Sequence, residues 1–247
     1  MISIVTAAYN CELYISETIR SVQTQTYEDW ELIIVDDHST DKTNKVILKA
    51  AESDKRIKYI YNENNLGPAK TRNRGIEFAK GQYLTFLDGD DLWLPTFLEV
   101  SLRFMANNNC VFTFASYKRV DEELNPLLSD FIVPDKVSYS DILKTCSISC
   151  LTAFIDISKV GKHYMPDLKK RQDFVLWLSI LKKIDFAYGI KEPLAIYRIR
   201  KGSVSRNKFK ALQYNWRVYR DVEKFNLLRS TYYASHYIYN GLRKYAR

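Results

Sequence analysis

The chain has 247 residues, a hydrophobic share of 46% and a formal net charge of +8, which suits one large α/β domain or a domain followed by a tail. No apolar run approaches the roughly 20 residues of a membrane-spanning helix, and the N-terminus lacks the basic segment of a signal peptide. The four cysteines lack zinc-type spacing, and Cys146 and Cys150 suit two small core residues better than a redox pair. We therefore expect a reduced, cytoplasmic protein.

The positive charge is concentrated in the last fifth of the chain. Residues 196–247 contain 13 Lys and Arg against 2 Asp and Glu, a balance of +11, whereas residues 1–195 contain 24 against 27, a balance of −3. Such an asymmetry predicts an anionic partner for the C-terminal segment.

The first half of the chain alternates between strand and helix patterns. Strands are predicted at residues 2–8, 31–36, 57–61, 82–87 and 110–116, and helices at 12–25, 41–54, 67–79 and 96–107. Strands that alternate with helices pair in parallel through right-handed crossovers. The pattern therefore predicts an α/β fold with a mostly parallel central sheet.

The second half is less regular. It predicts an extended excursion or hairpin at 117–135, helices at 138–145 and 171–183, strands at 150–157, 186–188 and 194–198, and a helical pattern from 208 onward. We expect one domain over residues 1–205, with a first half at 1–116 and a second half at 117–205, and a basic, aromatic helical tail over 206–247.

The most informative segment is the acidic turn Asp88-Gly89-Asp90-Asp91, which follows a buried strand pattern. Ligands of open α/β sheets bind at the carboxyl ends of the strands. Three carboxylates this close repel one another unless a cation neutralises them. A hard divalent cation prefers oxygen ligands and bridges to phosphates, whereas a helix cap would need only one aspartate.

Polar residues also follow the first two strands, and because parallel strands end at one edge of the sheet, these groups should converge there. A nucleotide needs acceptors for a base N–H and for its ribose, and a metal on its diphosphate. Some of the polar residues suit purely structural roles: Asp36 in a turn, Asp41 and Asp91 as helix caps, Asn10 in its loop, and His38 at an exposed turn.

The motifs at these positions resemble those of the family 2 glycosyltransferases, which have the GT-A fold, a Rossmann-like nucleotide-diphospho-sugar transferase fold. The matching segments are VTAAYN at 5–10, IVDDHSTD at 34–41, NLGPAKTRN at 65–73 and FLDGDD at 86–91. They cover most of residues 1–116, and together they are far more specific than any one alone. The resemblance implies a nucleotide-sugar donor and inversion at the anomeric carbon.

The resemblance also implies roles at the nucleotide. Asp37 would accept a hydrogen bond from the base, typically uracil, with Thr6 and Ala7 beside it. Glu12 would lie near the base or ribose, and Arg72 near the nucleotide. A plain surface position or a salt bridge is the alternative for Arg72.

The same comparison of motifs assigns a metal to the acidic turn. Asp90 matches the carboxylate that binds Mn²⁺ or Mg²⁺ through the donor diphosphate. Asp88 would contact the base or ribose and assist Asp90. The metal would neutralise the charge that develops on the departing nucleoside diphosphate.

An inverting transfer also needs a base that removes the proton of the acceptor hydroxyl. The segment KRQDFVLWL at 170–178 resembles the family's acidic pair at the start of a helix. Gln172 replaces the first acid, which leaves Asp173 as the candidate base; a charge favoured by the helix dipole is the alternative. Trp177, one turn later, suits either an acceptor sugar or the core.

A later segment, YRIRKGSVS at 197–205, resembles a family loop in which a histidine that helps to bind the metal often stands at the position of Arg200. Arginine cannot ligate a metal, but it recognises phosphate well. We therefore expect Arg200 or Lys201 to contact the donor diphosphate.

The tail combines basic and aromatic residues. Phe209, Leu212, Trp216 and Tyr219 recur at helical spacing among basic side chains. This composition suits a membrane interface; a helix pair packed on the catalytic domain is the alternative. No recognised nucleic-acid module is present, so we expect no nucleic-acid partner.

The resemblance leads to a specific expectation of function. The enzyme would move glucose or galactose from UDP in β linkage onto undecaprenyl-diphosphate-linked GlcNAc or GalNAc, in O-antigen (lipopolysaccharide) or other surface polysaccharide synthesis, peripherally at the inner face of the bacterial inner membrane. Alternatives are a dTDP-deoxysugar or UDP-N-acetylhexosamine donor for capsule or a teichuronic-type polymer, and a non-catalytic nucleotide-sugar-binding membrane scaffold. The intact set of Asp37, Asp88, Asp90 and Asp173 disfavours the scaffold.

Overall fold

The computed structural model describes residues 1–200 and 208–243. Within them, a ten-stranded sheet is formed by β1 (Ile2–Ala8), β2 (Trp30–Asp36), β3 (Ile57–Tyr61), β4 (Tyr83–Phe86), β5 (Leu92–Trp93), β6 (Phe112–Val120), β7 (Pro126–Phe131), β8 (Lys136–Val137), β9 (Phe154–Asp156) and β10 (Ala187–Arg198). The helices are α1 (Ile15–Gln23), α2 (Thr43–Ser53), α3 (Pro68–Phe78), α4 (Phe97–Asn108), α5 (Tyr139–Lys144), α6 (Ile157–Val160), α7 (Gln172–Leu181), α8 (Lys208–Arg217) and α9 (Leu227–Arg243). A π-helical stretch, Val218–Val222, follows α8.

The strand order is β3-β2-β1-β4-β9-β6-β10-β5, with β7 beside β6 and β8 beside β10. β1 pairs in parallel with β2 and β4, and β2 pairs in parallel with β3, which confirms the α/β fold and its crossovers. β9 is antiparallel to both β4 and β6. Beyond β9, β6 and β10 are again parallel, so one antiparallel strand separates two parallel regions.

Three predicted strands in the second half were wrong in extent. Residues 150–157 form a 3₁₀ turn, the short strand β9 and the start of α6. The two strands predicted at 186–188 and 194–198 are one continuous strand, β10, whose register shifts on either side of Pro193. Proline cannot donate to the sheet, so it causes an irregularity here without ending the strand.

The central strands are buried on both faces. Successive side chains of a strand point to opposite faces, and Ile4 and Val5 accordingly belong to two different apolar clusters. Trp177 is fully buried and packs edge-on against Phe86. Because the Trp177 ring is buried, it cannot stack on an acceptor sugar. The sequence left both roles open, since a core tryptophan on an apolar helix has the same spacing as an exposed one.

The C-terminal helices pack against the rest of the chain. Tyr219 is fully buried, and its hydroxyl donates a hydrogen bond to the Leu143 carbonyl at 2.6 Å. Phe225 and Tyr233 belong to the same apolar cluster as Trp177. The predicted boundary at residues 205 and 206 falls outside the described residues. Within the described ranges, no helix has both the length and the apolar character needed to cross a membrane.

Candidate functional site

Asp37, directly after β2, is held by the loop that precedes α3. Its side chain is only 4% exposed. Oδ1 accepts hydrogen bonds from the Leu66 N–H and from Asn62 Nδ2, both at 2.8 Å, and Oδ2 accepts one from the Gly67 N–H at 2.8 Å. A carboxylate offers about four acceptor positions, so three of them organise this loop and one is left for a ligand.

The end of β1 lies beside Asp37, because the Asp37 N–H donates to the Ala8 carbonyl at 2.8 Å. Thr6 is fully buried, and its Oγ1 has no hydrogen-bond partner in the part of the chain that the structure describes. Ala7 is partly exposed at the same edge. Tyr9, directly after β1, is 51% exposed, and only the fold reveals this exposure.

Side-chain hydrogen bonds fix the loop after β1 to the start of α2. Glu12 Oε2 accepts from the Lys42 N–H at 2.7 Å, and Asn10 Oδ1 accepts from the Thr40 N–H at 2.8 Å. Asp41 Oδ1 accepts from the Thr43 N–H at 2.9 Å, but the N-cap of α2 is Lys42, so the predicted N-cap role of Asp41 was wrong by one residue. The loop role of Asn10 is confirmed, while the contact of Glu12 with the ribose stays a prediction.

Arg72, on α3, forms an ion pair with Asp88. It is only 8% exposed, and its Nη2 donates to Asp88 Oδ1. Burial alone would lower the pKa of Arg72. Asp88, and to a smaller extent Asp173, raise this pKa by more than burial lowers it, so the guanidinium stays charged. The salt bridge is thus confirmed and the surface position was wrong. One buried cation is thus paired with the acidic turn and also feels the charge of the candidate base.

Asp90 pairs with Arg200, with 2.7 Å between Asp90 Oδ2 and Arg200 Nε. Burial and the neighbouring Asp88 raise the pKa of the Asp90 carboxyl, and Arg200 opposes that rise. Arg200 therefore contacts the acidic turn itself, and its contact with a diphosphate stays a prediction. Lys201 lies outside the described residues.

Asp91 has a different role from its two neighbours. It is buried, and its Oδ1 accepts from the Arg198 N–H at 2.9 Å, which ties the end of β10 to the acidic turn. Burial, and then Asp90 and Asp88, raise the pKa of the Asp91 carboxyl. The expected helix cap was wrong, because α4 begins only at Phe97.

The acidic turn suits a metal that is shared with a ligand. Among the described residues, no group of three or more His, Cys, Asp or Glu side chains is arranged to hold a metal ion. Mg²⁺ is usually bound by one or two carboxylates together with substrate phosphates. Asp88 and Asp90 are both partly exposed and carry repelling charges, so their chemistry fits such a shared site.

Asp173 lies in the first turn of α7 and is partly exposed. Burial raises the pKa of the nearby Cys146 thiol to about 12, and Asp173 contributes to that rise. Arg171, directly before α7, has a φ of 66° and donates from Nη2 to the Tyr237 hydroxyl at 2.6 Å. The start of this helix is thus fastened to α9.

Cysteine chemistry plays no visible part here. All four cysteines are free thiols, and burial raises the pKa of each one. Cys146 and Cys150 contribute to one apolar cluster, which confirms the expectation of small core residues.

Comparison with known proteins identifies the family. Residues 3–151 match the model of Glycosyl transferase family 2. The chain belongs to this family. A relative from Bacillus subtilis, named putative teichuronic acid biosynthesis glycosyltransferase TuaG, is 40% identical over 99% of this chain and 97% of its own length.

One further sequence relative and one solved structure are also similar to this chain. The Escherichia coli protein WfgD, named UDP-Glc:alpha-D-GlcNAc-diphosphoundecaprenol beta-1,3-glucosyltransferase, is 38% identical over 100% of this chain and 95% of its own length. The crystal structure of Staphylococcus aureus TarS 1-349 in complex with UDP-GlcNAc superposes with a TM-score of 0.73 at 20% identity, covering 96% of this chain and 71% of that one. The latter likeness confirms the GT-A fold.

Proposed function

We propose that this family 2 glycosyltransferase moves a hexose, glucose or galactose, from UDP onto GlcNAc or GalNAc linked to undecaprenyl diphosphate. Transfer inverts the anomeric carbon, leaves a β linkage and serves the synthesis of O-antigen or another surface polysaccharide. The 38% identical relative WfgD is named as an enzyme with such a donor and acceptor, which supports this proposed donor and acceptor.

The observation that carries the proposal is the position of Arg72. Its guanidinium contacts Asp88, and Asp173 is close enough to act on its charge. The carboxylate assigned to the donor contacts this buried cation, and the carboxylate assigned to the acceptor lies near enough to influence it. Transfer requires donor and acceptor to meet at such a point.

The donor nucleotide binds at the carboxyl ends of β1, β2 and β4. The remaining acceptor position of Asp37 takes a base N–H, with Thr6 and Ala7 forming the adjacent wall. Glu12 takes a ribose hydroxyl through the carboxylate oxygen that does not bind Lys42. The exposed ring of Tyr9 stacks on the base, since aromatic rings stack favourably on flat ligands.

Asp90, assisted by Asp88, would hold Mn²⁺ or Mg²⁺ together with the donor diphosphate. When bound, the metal supplies counter-charge to the departing nucleoside diphosphate. Arg200 leaves Asp90 and binds a phosphate oxygen, because a guanidinium forms strong charge-assisted hydrogen bonds with phosphate. Arg72 keeps Asp88 in place throughout.

Asp173 accepts the proton of the attacking acceptor hydroxyl. The oxygen bonds to the anomeric carbon from the face opposite the diphosphate, whose bond to that carbon breaks as the new bond forms. A single displacement of this kind inverts the anomeric configuration. Proximity of the acceptor to Asp173 is thus as important as its ionisation.

We also propose peripheral binding at the inner face of the bacterial inner membrane. α9 exposes Leu228, Tyr232 and Tyr239 at spacings of four and seven, and the tail is strongly basic. Rings at headgroup depth and cations attracted to anionic lipid favour such a surface. Leu228→Glu should reduce sedimentation with phosphatidylglycerol vesicles several-fold, whereas Leu127→Glu, on the exposed face of β7, should not.

A second candidate changes the donor. The 40% identical relative TuaG carries a name from teichuronic acid biosynthesis, which favours a UDP-N-acetylhexosamine or another sugar nucleotide and a teichuronic-type or capsular polymer. A non-catalytic scaffold is a third candidate, disfavoured by the retained carboxylates.

One set of assays separates these candidates. Calorimetry measures UDP binding with and without Mn²⁺, and a transfer assay then compares UDP-Glc, UDP-Gal, UDP-GlcNAc and dTDP-sugars on a synthetic GlcNAc-diphosphate lipid. We expect Mn²⁺-dependent UDP binding and the fastest transfer from UDP-Glc or UDP-Gal. UDP binding without any transfer or donor hydrolysis would support the scaffold.

A further inference from the structure

α8 and α9 enclose an apolar groove on the acceptor side of the molecule. Its cavity of about 560 Å³ is lined by Leu212, Trp216 and Ala234, with Gln213 and Arg217 also on its wall. This volume falls within the range of small-molecule sites, roughly 300–1,000 Å³. The nucleotide groups described above are not part of this wall, so the groove is separate from the donor site.

A smaller, polar cavity adjoins the groove. It has a volume of about 220 Å³ and is lined by Lys170, Gln213, Tyr214 and Arg217. Gln213 and Arg217 line both cavities. An apolar space and a space flanked by two cations therefore share part of one wall.

The two cations share one aromatic ring. Lys170 Nζ lies 6.0 Å and Arg217 Cζ lies 5.8 Å from the centre of the Tyr214 ring. Contact with a ring face holds the Arg217 guanidinium in place but leaves its N–H groups available to an anion. Within the described residues, Arg217 has no carboxylate partner in an ion pair. The pocket is thus suited to an anionic group.

The wall of the second cavity lies close to the candidate base along the chain. Lys170, on that wall, precedes Asp173 by three residues, a separation that spans at most about 10 Å of chain. Arg171, between them, donates to the Tyr237 hydroxyl of α9, and Lys170 Nζ lies 6.0 Å from the centre of the Tyr214 ring of α8. The segment that leads into α7 and Asp173 therefore contacts both tail helices.

We propose that the groove holds the isoprenoid chain of the acceptor and that the adjoining pocket holds its diphosphate. This inference rests on the proposed function, since it assumes a lipid-diphosphate acceptor. Arg217 binds the diphosphate through charge-assisted hydrogen bonds, and the first isoprene units bury apolar surface against Leu212 and Trp216. The tail is thereby a binding site for the acceptor lipid, in addition to a surface for the membrane.

A binding experiment tests the two parts of the site together. Calorimetry on the full chain compares farnesyl diphosphate with farnesol and with inorganic diphosphate. Because only farnesyl diphosphate fills both cavities, we expect it to bind at least about tenfold more tightly than either. If inorganic diphosphate bound as tightly as farnesyl diphosphate, the groove would not hold the isoprenoid chain. If farnesol bound as tightly as farnesyl diphosphate, the cationic pocket would not hold the diphosphate.

Exposed positions allow variants that do not disturb the core. Gln213→Glu introduces a negative charge of almost the same size between the cavities and should weaken farnesyl diphosphate binding about fivefold, whereas Gln213→Lys should strengthen it. Arg217→Gln should weaken binding about tenfold. Asn107→Asp, on the exposed side of α4, is the matched charge control. Unchanged affinity in Gln213→Glu and Arg217→Gln, with unaltered Tm, would overturn the site.

A transfer assay separates this inference from the proposed function. With a GlcNAc-diphosphate acceptor that carries an isoprenoid chain, Arg217→Gln should raise the acceptor KM about tenfold and leave the KM for the donor unchanged. Farnesyl diphosphate binding that depends on Arg217, without sugar transfer by the unaltered protein, would retain the site and refute the function. Transfer with the same acceptor KM in both proteins would retain the function and refute the site.

Discussion

The donor and acceptor sides of the site are organised over very different distances along the chain. Asp37 is held by donors from residues 62, 66 and 67, on the loop that leads directly into α3. Arg171 is held by Tyr237, a separation of 66 residues that joins α7 to the C-terminal helix. Local sequence motifs therefore specify the donor side, whereas the acceptor side depends on the packing of the tail.

The largest expected effect separates the two sides. Asp173→Asn removes the proposed base and should slow transfer about a thousandfold, while UDP binding, measured by calorimetry, should stay within about twofold because no donor group is changed. Asp167→Asn, at an exposed carboxylate paired with Lys70, is the control. Near-normal turnover in Asp173→Asn would contradict the assignment.

A change on the donor side should affect UDP binding as well as transfer. Asp90→Asn should lower transfer about a hundredfold and abolish the dependence of UDP binding on Mn²⁺, since one carboxylate of the shared metal site is lost. EDTA should affect the unaltered protein in the same way. UDP binding by Asp90→Asn that still increases with Mn²⁺ would show that another group holds the metal.

The third prediction concerns the buried cation paired with the acidic turn. Arg72→Met should lower the free energy of unfolding by about 2 kcal/mol, because it leaves Asp88 without its partner; the partial exposure of Asp88 keeps the loss below that of a fully buried pair. Urea denaturation measures it. The double variant Arg72→Met/Asp88→Asn should recover part of the loss, and full additivity of the two changes would indicate that the pair is not coupled.

The smallest effect lies away from the site, at the amino end of β2. Burial raises the pKa of Glu31, but hydrogen bonds from Lys58, Ser3 and the Lys80 N–H lower it more, so its pKa falls below the usual value. The resulting stabilisation is complete above about pH 4, the unfolded value, and is lost as the pH falls through the lower folded value. Glu31→Gln should therefore cost about 1 kcal/mol at neutral pH.

Unfolding of both proteins across this acid range provides the test. The difference between Glu31→Gln and the unaltered chain should shrink progressively below about pH 4. A difference that stays constant down to the acid limit would mean that the charge of Glu31 contributes no stability. Because Glu31 belongs to the donor side, the tail variants should leave this pH dependence unchanged.

The sequence predicts the donor side well for a physical reason. Alternating elements and turn residues at strand ends are local signals, and they correctly indicate β1 to β4 and the helices between them. The same signals predict that Asp37, Asp88 and Asp90 lie at strand ends. They do not predict that Arg72 is buried and paired with Asp88, because helical spacing alone does not tell which face of α3 is covered.

The acceptor side shows where such signals fail. The sequence pattern predicted two strands, at 186–188 and 194–198, where β10 is continuous, since the register shifts around Pro193 interrupt the local pattern without ending the strand. Trp177 has the spacing of both a core residue and a surface residue. The groove between α8 and α9 depends on Leu212 and Ala234, which no short motif connects. Only tertiary contacts bring such residues together.

The most direct measurement is the structure of the product. The unaltered protein, UDP-Glc or UDP-Gal, Mn²⁺ and a GlcNAc-diphosphate lipid are incubated, and the anomeric proton of the transferred hexose is examined by NMR. We predict a hexose joined through a β linkage, formed only when the metal is present. An α linkage would contradict single-displacement inversion, and the absence of transfer from every UDP-hexose tested would contradict the proposed function itself.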